Sequence, residues 1–200
     1  IKSRFLRPAF RNFDLRETFR SGPHPSDLDA HLRRMQQSAA AFGMQIDMRE
    51  LRRELEPSRS MDEPRFVRVS ASAAGFGITS QPLEPTQTPI DLCISRYRVR
   101  AADPMLRHKT GWRPIHEAAA REARERGCFD AILQNERGEL TEGSRTNIFV
   151  QKGNTLYTPP LDCGVLPGIL RSRLVTDGQA AERVLHASDL EAADAIYVGN

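Results

Sequence analysis

An α/β protein of two units is the fold class the chain predicts, and three observations carry that expectation. Strand-like and helix-like patterns alternate from end to end. A segment with three prolines in ten residues, SQPLEPTQTP, interrupts them near residues 80–89. There are no internal repeats and no low-complexity tracts, so a solenoid or a disordered chain is excluded. The expected division is a small N-terminal α/β domain over 1–82, a linker over 83–90 and a larger C-terminal domain over 91–200.

In the first part, residues 10–20 alternate with Phe13, Leu15 and Phe19 on one side, as a strand does. Glu17 shares that side, and pattern alone expects it at an edge or interface. The turn-rich SGPHPS follows, then a helix with Ser26 as its N-cap, Leu28, Leu32, Met35, Ala39 and Phe42 at helical spacing, and Gly43 as its stop. Arg33 and Arg34 lie off that stripe, which on pattern reads as a solvated face. A short helix is expected around Met48–Leu55 and a strand over Arg65–Ser70, followed by the small-residue segment ASAAGFGITS.

The second part opens with the strand DLCISRYRVR, expected to turn Leu92 and Ile94 inward. Lys109 then sits in a loop before a helix that starts at Arg113 or Pro114 and stops at Gly127. Residues 129–134 and 139–141 read as strands around the turn 135–138. Residues 147–150 and 155–158 read as a hairpin through Lys152-Gly153-Asn154. A helix from Pro167 to about Thr176 follows. Then come a capping box at Ser188–Glu191 and a last strand over 195–198.

Composition narrows the function. With 39% hydrophobic and 28% charged residues the 200-residue chain is ordinary for a water-soluble protein. Its net charge of +3 comes from arginines scattered among acids, which argues against nucleic-acid binding. No apolar run approaches the roughly 18 residues of a membrane span, and nothing at the start looks like a signal peptide. A first residue of Ile implies a piece of a longer or trimmed chain. Three widely spaced cysteines, Cys93, Cys128 and Cys163, point to a reducing, cytoplasmic setting, and no metal site is expected.

Of 29 basic residues only three are lysines: Lys2 at a terminus, Lys152 in a turn, and Lys109, the only one in a patterned segment. An aldehyde cofactor such as pyridoxal phosphate needs an amine to hold it, an acid opposite its ring nitrogen and a cradle for its phosphate. Lys109 supplies the first and Glu142, between a turn and an apolar hairpin, is a candidate for the second. The helix opened by Pro167 and Gly168 offers unpaired N–H groups and a positive dipole end for the third.

Glu142-x-x-x-x-Asn147-Ile148-Phe149, Leu156-x-Thr158 and Leu166-Pro167-Gly168-Ile169-x-Arg171 together resemble the signature of the class IV aminotransferases, the fold type IV pyridoxal-phosphate enzymes. His31-Leu-x-Arg34-Met35 and Asp103-x-x-x-x-His108-Lys109-Thr110 resemble two further family segments. The resemblance implies a two-domain fold like that of D-amino acid aminotransferase, whose larger C-terminal, cofactor-binding domain is β-barrel-like with flanking helices. It implies pyridoxal 5′-phosphate as cofactor, with Lys109 as the Schiff-base lysine and Glu142 facing the pyridine nitrogen. Asn147 and Gly168 are carried over as cofactor-binding positions. Arg34 would bind phosphate, Leu166 would pack on the ring, and the backbone N–H groups of Ile169 and Leu170 would complete the phosphate cup. Many family members have threonine where this chain has Leu170, and branched-chain enzymes have a tyrosine shortly after the lysine that TGWRPIHE lacks.

Within the family, HKTGWR, LPGILR and the compact first half look most like aminodeoxychorismate lyase, in particular the lyase domain of bifunctional para-aminobenzoate synthases of folate biosynthesis. That likeness implies conversion of 4-amino-4-deoxychorismate to 4-aminobenzoate and pyruvate. The alternatives are a branched-chain or D-amino acid aminotransferase, and a degenerate non-catalytic domain. An anionic amino substrate, a homodimer and a fused or associated aminodeoxychorismate synthase subunit are the implied partners, with no nucleic acid and no membrane. Arg107, Arg113 and Arg145 are the candidate cations for substrate carboxylates.

Overall fold

The computed structural model describes residues 13–22, 27–60 and 62–200. The chain divides into two compact units, one holding residues up to Thr86 together with Lys109–Trp112, the other Gln87–His108 together with Arg113–Asn200.

The first unit is a three-stranded antiparallel sheet with helices. β1 (Leu15–Ser21) pairs with β2 (Arg65–Ser72), which pairs in turn with β3 (Gly75–Pro82). Between β1 and β2 come α1 (Leu28–Phe42) and α2 (Met48–Leu55). Side chains alternate along β1, so Leu15, Glu17, Phe19 and Ser21 are buried while Arg16 and Arg20 are exposed. α1 packs against that strand with Leu28, His31, Leu32, Arg34, Met35, Ser38 and Ala39 buried.

The side chain that caps α1 is Asp27, which accepts from the Ala30 N–H at 2.9 Å. Ser26, picked out by pattern as the cap, lies outside the described residues, as does most of its turn. The helix stops at Gly43 in the left-handed region, φ 65°. β3 was not expected as a strand: it is mostly exposed and glycine-containing, so no apolar alternation betrays it.

In the second unit β4 (Leu92–Val99) runs parallel to β5 (Asp130–Asn135), with α3 (Pro114–Glu125) as the crossover. β5 pairs antiparallel with β6 (Leu140–Gly143). A second sheet has the order β10-β7-β8-β9, from β7 (Asn147–Lys152), β8 (Thr155–Thr158), β9 (Ala181–Glu182) and β10 (Ala195–Gly199). α4 (Ile169–Thr176) and α5 (Ala187–Glu191) lie in its connections.

β5 is buried on both faces. Ala131 and Leu133 join Cys93, Val99, Leu106, Ala119 and Ala123 in a core against α3, while Ile132 joins Leu140, Ile148, Val150 and Leu185 on the other side. This corrects the expected face of β4. Cys93 and Ser95 are buried, Ile94 is 37% exposed, and Leu92 packs only partly, with the Ile132 cluster. The α3 face takes Cys93, Ser95 and Val99 from β4, and Ile94, on the opposite phase of the strand, lies outside that core. The capping box also shifts: it is Asp189 that accepts from the His186 N–H, at 2.8 Å, at the start of α5.

The barrel-like C-terminal domain that the resemblance implied is not what forms. Among the described residues the sheets are three and open, and none closes on itself. Two local features explain this. At the register shift between Ile94 and Arg98, the Arg96 and Tyr97 N–H groups donate to the Glu122 carboxylate and the Ser95 hydroxyl, so β4 extends no regular ladder there. After β6, the buried Asp130 carboxylate folds residues 143–146 into a tight turn and β7 starts a new sheet. Its Oδ1 accepts from the N–H groups of Ala131 (2.8 Å) and Ser144 (2.9 Å) and from the Ser144 hydroxyl (2.5 Å), and its Oδ2 from the Thr146 hydroxyl (2.7 Å). Asp130→Ala strands those donors in a dry interior and is expected to cost roughly 3 kcal/mol or more, read as a lowered midpoint in thermal unfolding.

Candidate active site

In the second unit the end of β6 delivers Glu142 to a point where it is 3% exposed. Four donors of the chain meet it. Arg113, at the N-cap of α3, donates from Nη2 to Oε1 at 2.7 Å, and the His116 Nε2–H donates to the same oxygen at 2.8 Å. Oε2 accepts from the Leu166 N–H at 3.1 Å and from Asn147 Nδ2 at 3.3 Å. Burial works to raise this carboxyl, but the Arg113 charge and the His116 and Leu166 hydrogen bonds outweigh it and hold the group below its ordinary range. His116 is pushed below its usual value by burial and by Arg113. The imidazole is therefore neutral at pH 7 with its proton on Nε2, and Glu142 is an anion.

Asn147, first in β7, spans from Glu142 to the Leu166 carbonyl, to which it also donates at 3.2 Å. Gly168 is the N-cap of α4 and provides no side-chain cap. The first amides of α4, from Ile169 and Leu170 onward, point along the helix axis with no intrahelical acceptor, as at any helix start. A Cβ at Gly168 would come within 1.9 Å of Asn147 Oδ1. Backbone here is pressed against the side chain that also holds Glu142, and only glycine permits it. Gly168→Ala should separate α4 from Asn147, weakening anion binding at the helix start by about tenfold or more. Titration with inorganic phosphate or pyridoxal phosphate measures it.

In the first unit Arg34 closes on an acid that pattern had placed at an edge, and the charge of Lys109 also acts on it. Lys109–Gly111 lies along the start of β1: the Arg16 N–H donates to the Lys109 carbonyl (2.8 Å) and the Gly111 N–H to the Asp14 carbonyl (2.7 Å). The next inward residue of β1 is Glu17, 2% exposed. Arg34 clasps it side-on, Nε to Oε1 at 2.8 Å and Nη2 to Oε2 at 2.6 Å, and His31 Nδ1 stands 2.7 Å from Oε2. Burial works to raise the Glu17 carboxyl, but His31, Arg34 and the charge of Lys109 hold it low. Arg34 is thus buried, not solvated as its place off the apolar stripe suggested, while Arg33 is exposed.

The three candidate substrate arginines are held apart from one another. Arg107 pairs with Asp162 at 3.0 Å and Arg113 with Glu142. Arg145 donates to the Phe129 carbonyl at 2.6 Å, with its guanidinium 4.5 Å from that ring's centre. Glu17 and His116 were missed as site residues, and no role was read for His31 beyond its place in the helix motif. The signal for the two histidines was spacing: His31 is one turn from Leu28, and His116 one turn before Ala119, so each lies on a buried helix face. Among the described residues no cluster of His, Cys, Asp and Glu could hold a metal ion.

In the second unit a buried, ionised acid thus lies beside an uncapped helix N-terminus, and in the first a second buried acid is clasped by an arginine. The family described as amino-transferase class IV matches residues 14–200, and the chain belongs to it. A solved structure from Mesorhizobium loti, provisionally named an amino-acid aminotransferase, superposes with a TM-score of 0.85 at 35% identity, covering 94% of this chain and 95% of that one. One from Legionella pneumophila, provisionally named a 4-amino-4-deoxychorismate lyase, gives 0.81 at 24% identity over 94% and 78%, a likeness of fold.

Among curated proteins, the D-alanine aminotransferase of Bacillus licheniformis is 26% identical over 167 residues, 74% of this chain and 59% of that enzyme. The branched-chain-amino-acid aminotransferase of Escherichia coli K12 is 32% identical over 82 residues, 38% of this chain and 26% of that one. The chain thus spans less than two thirds of either. Class IV enzymes are pyridoxal-phosphate enzymes, and the residues present suit that group: an anion for a cationic ring nitrogen, backbone amides and an arginine for phosphate, and one lysine.

Proposed function

We propose that the chain is a pyridoxal-phosphate-dependent aminotransferase acting on a small amino acid. The observation that carries the reading is Glu142, kept ionised in a fully dry place by Arg113 and its hydrogen-bond donors, one of which, Asn147, abuts the start of α4. An acid kept ionised in this way is the counter-ion that a protonated ring nitrogen requires.

When bound, the cofactor supplies an aldehyde to take up the substrate's amino group and a ring that spreads negative charge from the substrate carbon. Lys109 is the amine for that aldehyde and, once released, the base that moves the proton at the substrate carbon. Glu142 keeps the ring nitrogen protonated. In the second unit the amides of Ile169 and Leu170 would take the phosphate, with Leu166 and Asn147, both bonded to Glu142, beside the cofactor; Arg34, in the first unit, is the arginine that the resemblance assigns to the phosphate. Four residues after Lys109 in the chain comes Arg113, the cation on Glu142.

Both curated relatives described above carry aminotransferase names, whereas the lyase names belong to structures at 24% and 21% identity. The aminotransferase is therefore preferred to the aminodeoxychorismate lyase that HKTGWR and LPGILR suggested. Incubating the loaded protein with single amino acids, no keto acid present, should yield stoichiometric keto acid and pyridoxamine phosphate. Catalytic 4-aminobenzoate release from 4-amino-4-deoxychorismate, with no such half-reaction, would overturn this reading in favour of the lyase. Sedimentation of the purified protein reads the homodimer that the family implies.

A further inference from the structure

Arg171 closes the motif that opens at Leu166 and has no part in the reading above. It stands in the first turn of α4 and is 3% exposed. Its Nη2 donates to the Pro159 carbonyl at 2.7 Å and to Glu182 Oε1. These acceptors belong to neighbouring strands, because Thr158, just before Pro159, lies opposite Glu182 in the β8–β9 ladder. The Arg171 Nε–H is buried and has no hydrogen-bond partner among the described residues. A Cβ at Gly199 would come within 2.6 Å of Leu170 Cδ2, as one at Gly168 would meet Asn147. The first turn of α4 is thus met from all four strands of the sheet or the residue just after one, with Arg171 as its charged tie.

A cation in a helix's first turn opposes the helix dipole, and burial adds a desolvation cost. No acid in that turn offsets it. The matching acid, Glu182, comes from β9 with its side chain 42% exposed, so water screens the acid more than the arginine. Helix side chains lean towards the N-terminus, which puts this charge on the side of the unpaired amides. We propose, on the pyridoxal-phosphate reading, that Arg171 is the positioning residue of the phosphate cup. It ties the first turn of α4 to β8 and β9, and its charge, only partly balanced by Glu182, strengthens the pull of that turn's amides on a phosphate ester. An apolar side chain would pack the helix onto the sheet but would add nothing to that pull.

The test titrates pyridoxal 5′-phosphate, and pyridoxal, which lacks the phosphate, against wild type, Arg171→Met, Arg171→Lys and Glu182→Gln. Binding is followed by absorbance, and inorganic phosphate is titrated in parallel and read as a rise in the unfolding midpoint. Wild type should prefer the phosphate ester. Arg171→Met should lose about tenfold of that preference, the worth of one charge-assisted interaction, with the pyridoxal titration nearly unmoved. Arg171→Lys keeps the charge without the planar fork and should lose less. Glu182→Gln removes the balancing acid, so it should bind the phosphate ester and inorganic phosphate about threefold more tightly than wild type. That gain should shrink at about 1 M salt, where charges are screened within about 3 Å.

Equal weakening towards both aldehydes in Arg171→Met would reduce Arg171 to a structural tie and overturn the proposal, as would an unchanged preference in that variant. With wild type still preferring the phosphate ester, either result leaves the cofactor reading standing. No preference in wild type would overturn the proposal together with that reading. If circular dichroism shows Arg171→Met unfolded, Glu182→Gln decides, since its side chain is half-exposed: tighter phosphate supports the proposal, and unchanged or weaker phosphate overturns it.

Discussion

Lys109→Ala is expected to abolish turnover, by at least about a thousandfold, while leaving the fold intact. The loss is large because the side chain serves twice, as the amine for the aldehyde and as the base at the substrate carbon, and positioned proton transfer alone contributes about 10²- to 10⁴-fold. No other lysine can substitute. Lys152 sits in the β7–β8 hairpin, 3.5 Å from Asp189, and Lys2 is near the chain start. The fold should survive because the segment is tied to β1 through its backbone, by the Lys109 carbonyl and the Gly111 N–H, neither of which the substitution removes. Borohydride reduction of wild type with pyridoxal phosphate should place the tag on the Lys109 peptide, and the alanine variant should take none. A tag elsewhere, or turnover that persists in the variant, would refute the assignment.

What was legible in the chain follows the physics of each signal. α1 announced itself because apolar period and the Gly43 stop agree, although its cap is Asp27 and not Ser26, and the β7–β8 hairpin because Lys152-Gly153-Asn154 interrupts two apolar runs. β3 was invisible because an exposed strand needs no alternation. The face of β4 was misread because both phases of the strand carry apolar residues, Leu92 and Ile94 on one and Cys93 and Val99 on the other, and only the packing against α3 distinguishes them. The resemblance brought Glu142, Asn147, Leu166 and Gly168 to attention, and all four meet in one unit. Charge pairs across long separations were the hardest to read. Glu17 and Arg34 look like surface residues until α1 folds onto β1, and Asp130 reveals its purpose only when residues 144–146 wrap it.

Glu142→Ala is expected to cost about 3–5 kcal/mol, because it leaves the Arg113 charge and three other donors without the acceptor they were buried against. For a chain of this size that is a fall of roughly 10 °C in the unfolding midpoint. Glu142→Gln keeps one oxygen for the Leu166 and Asn147 donors but turns an amide towards Arg113, so it should be milder in stability and nearly as severe in activity, since a neutral amide cannot hold a ring nitrogen protonated. Acid should act in the same direction. The folded-state carboxyls of Glu142 and Glu17 both lie below their ordinary value. Their contribution to stability is therefore complete above the unfolded value of about 4.5 and is lost as pH falls through the depressed folded values. Wild type should hold a flat midpoint from neutrality down to about pH 5 and then lose stability steeply below 4.5. In Glu142→Gln the acid limb should be shallower, with Glu17 and the other carboxyls held low, Asp14, Glu122, Glu139 and Asp189 among them, still contributing to it. An unchanged acid limb in that variant, measured by thermal melts across pH 3–7, would mean that Glu142 is not ionised in the folded protein, and the pairing with a cationic ring nitrogen would go with it.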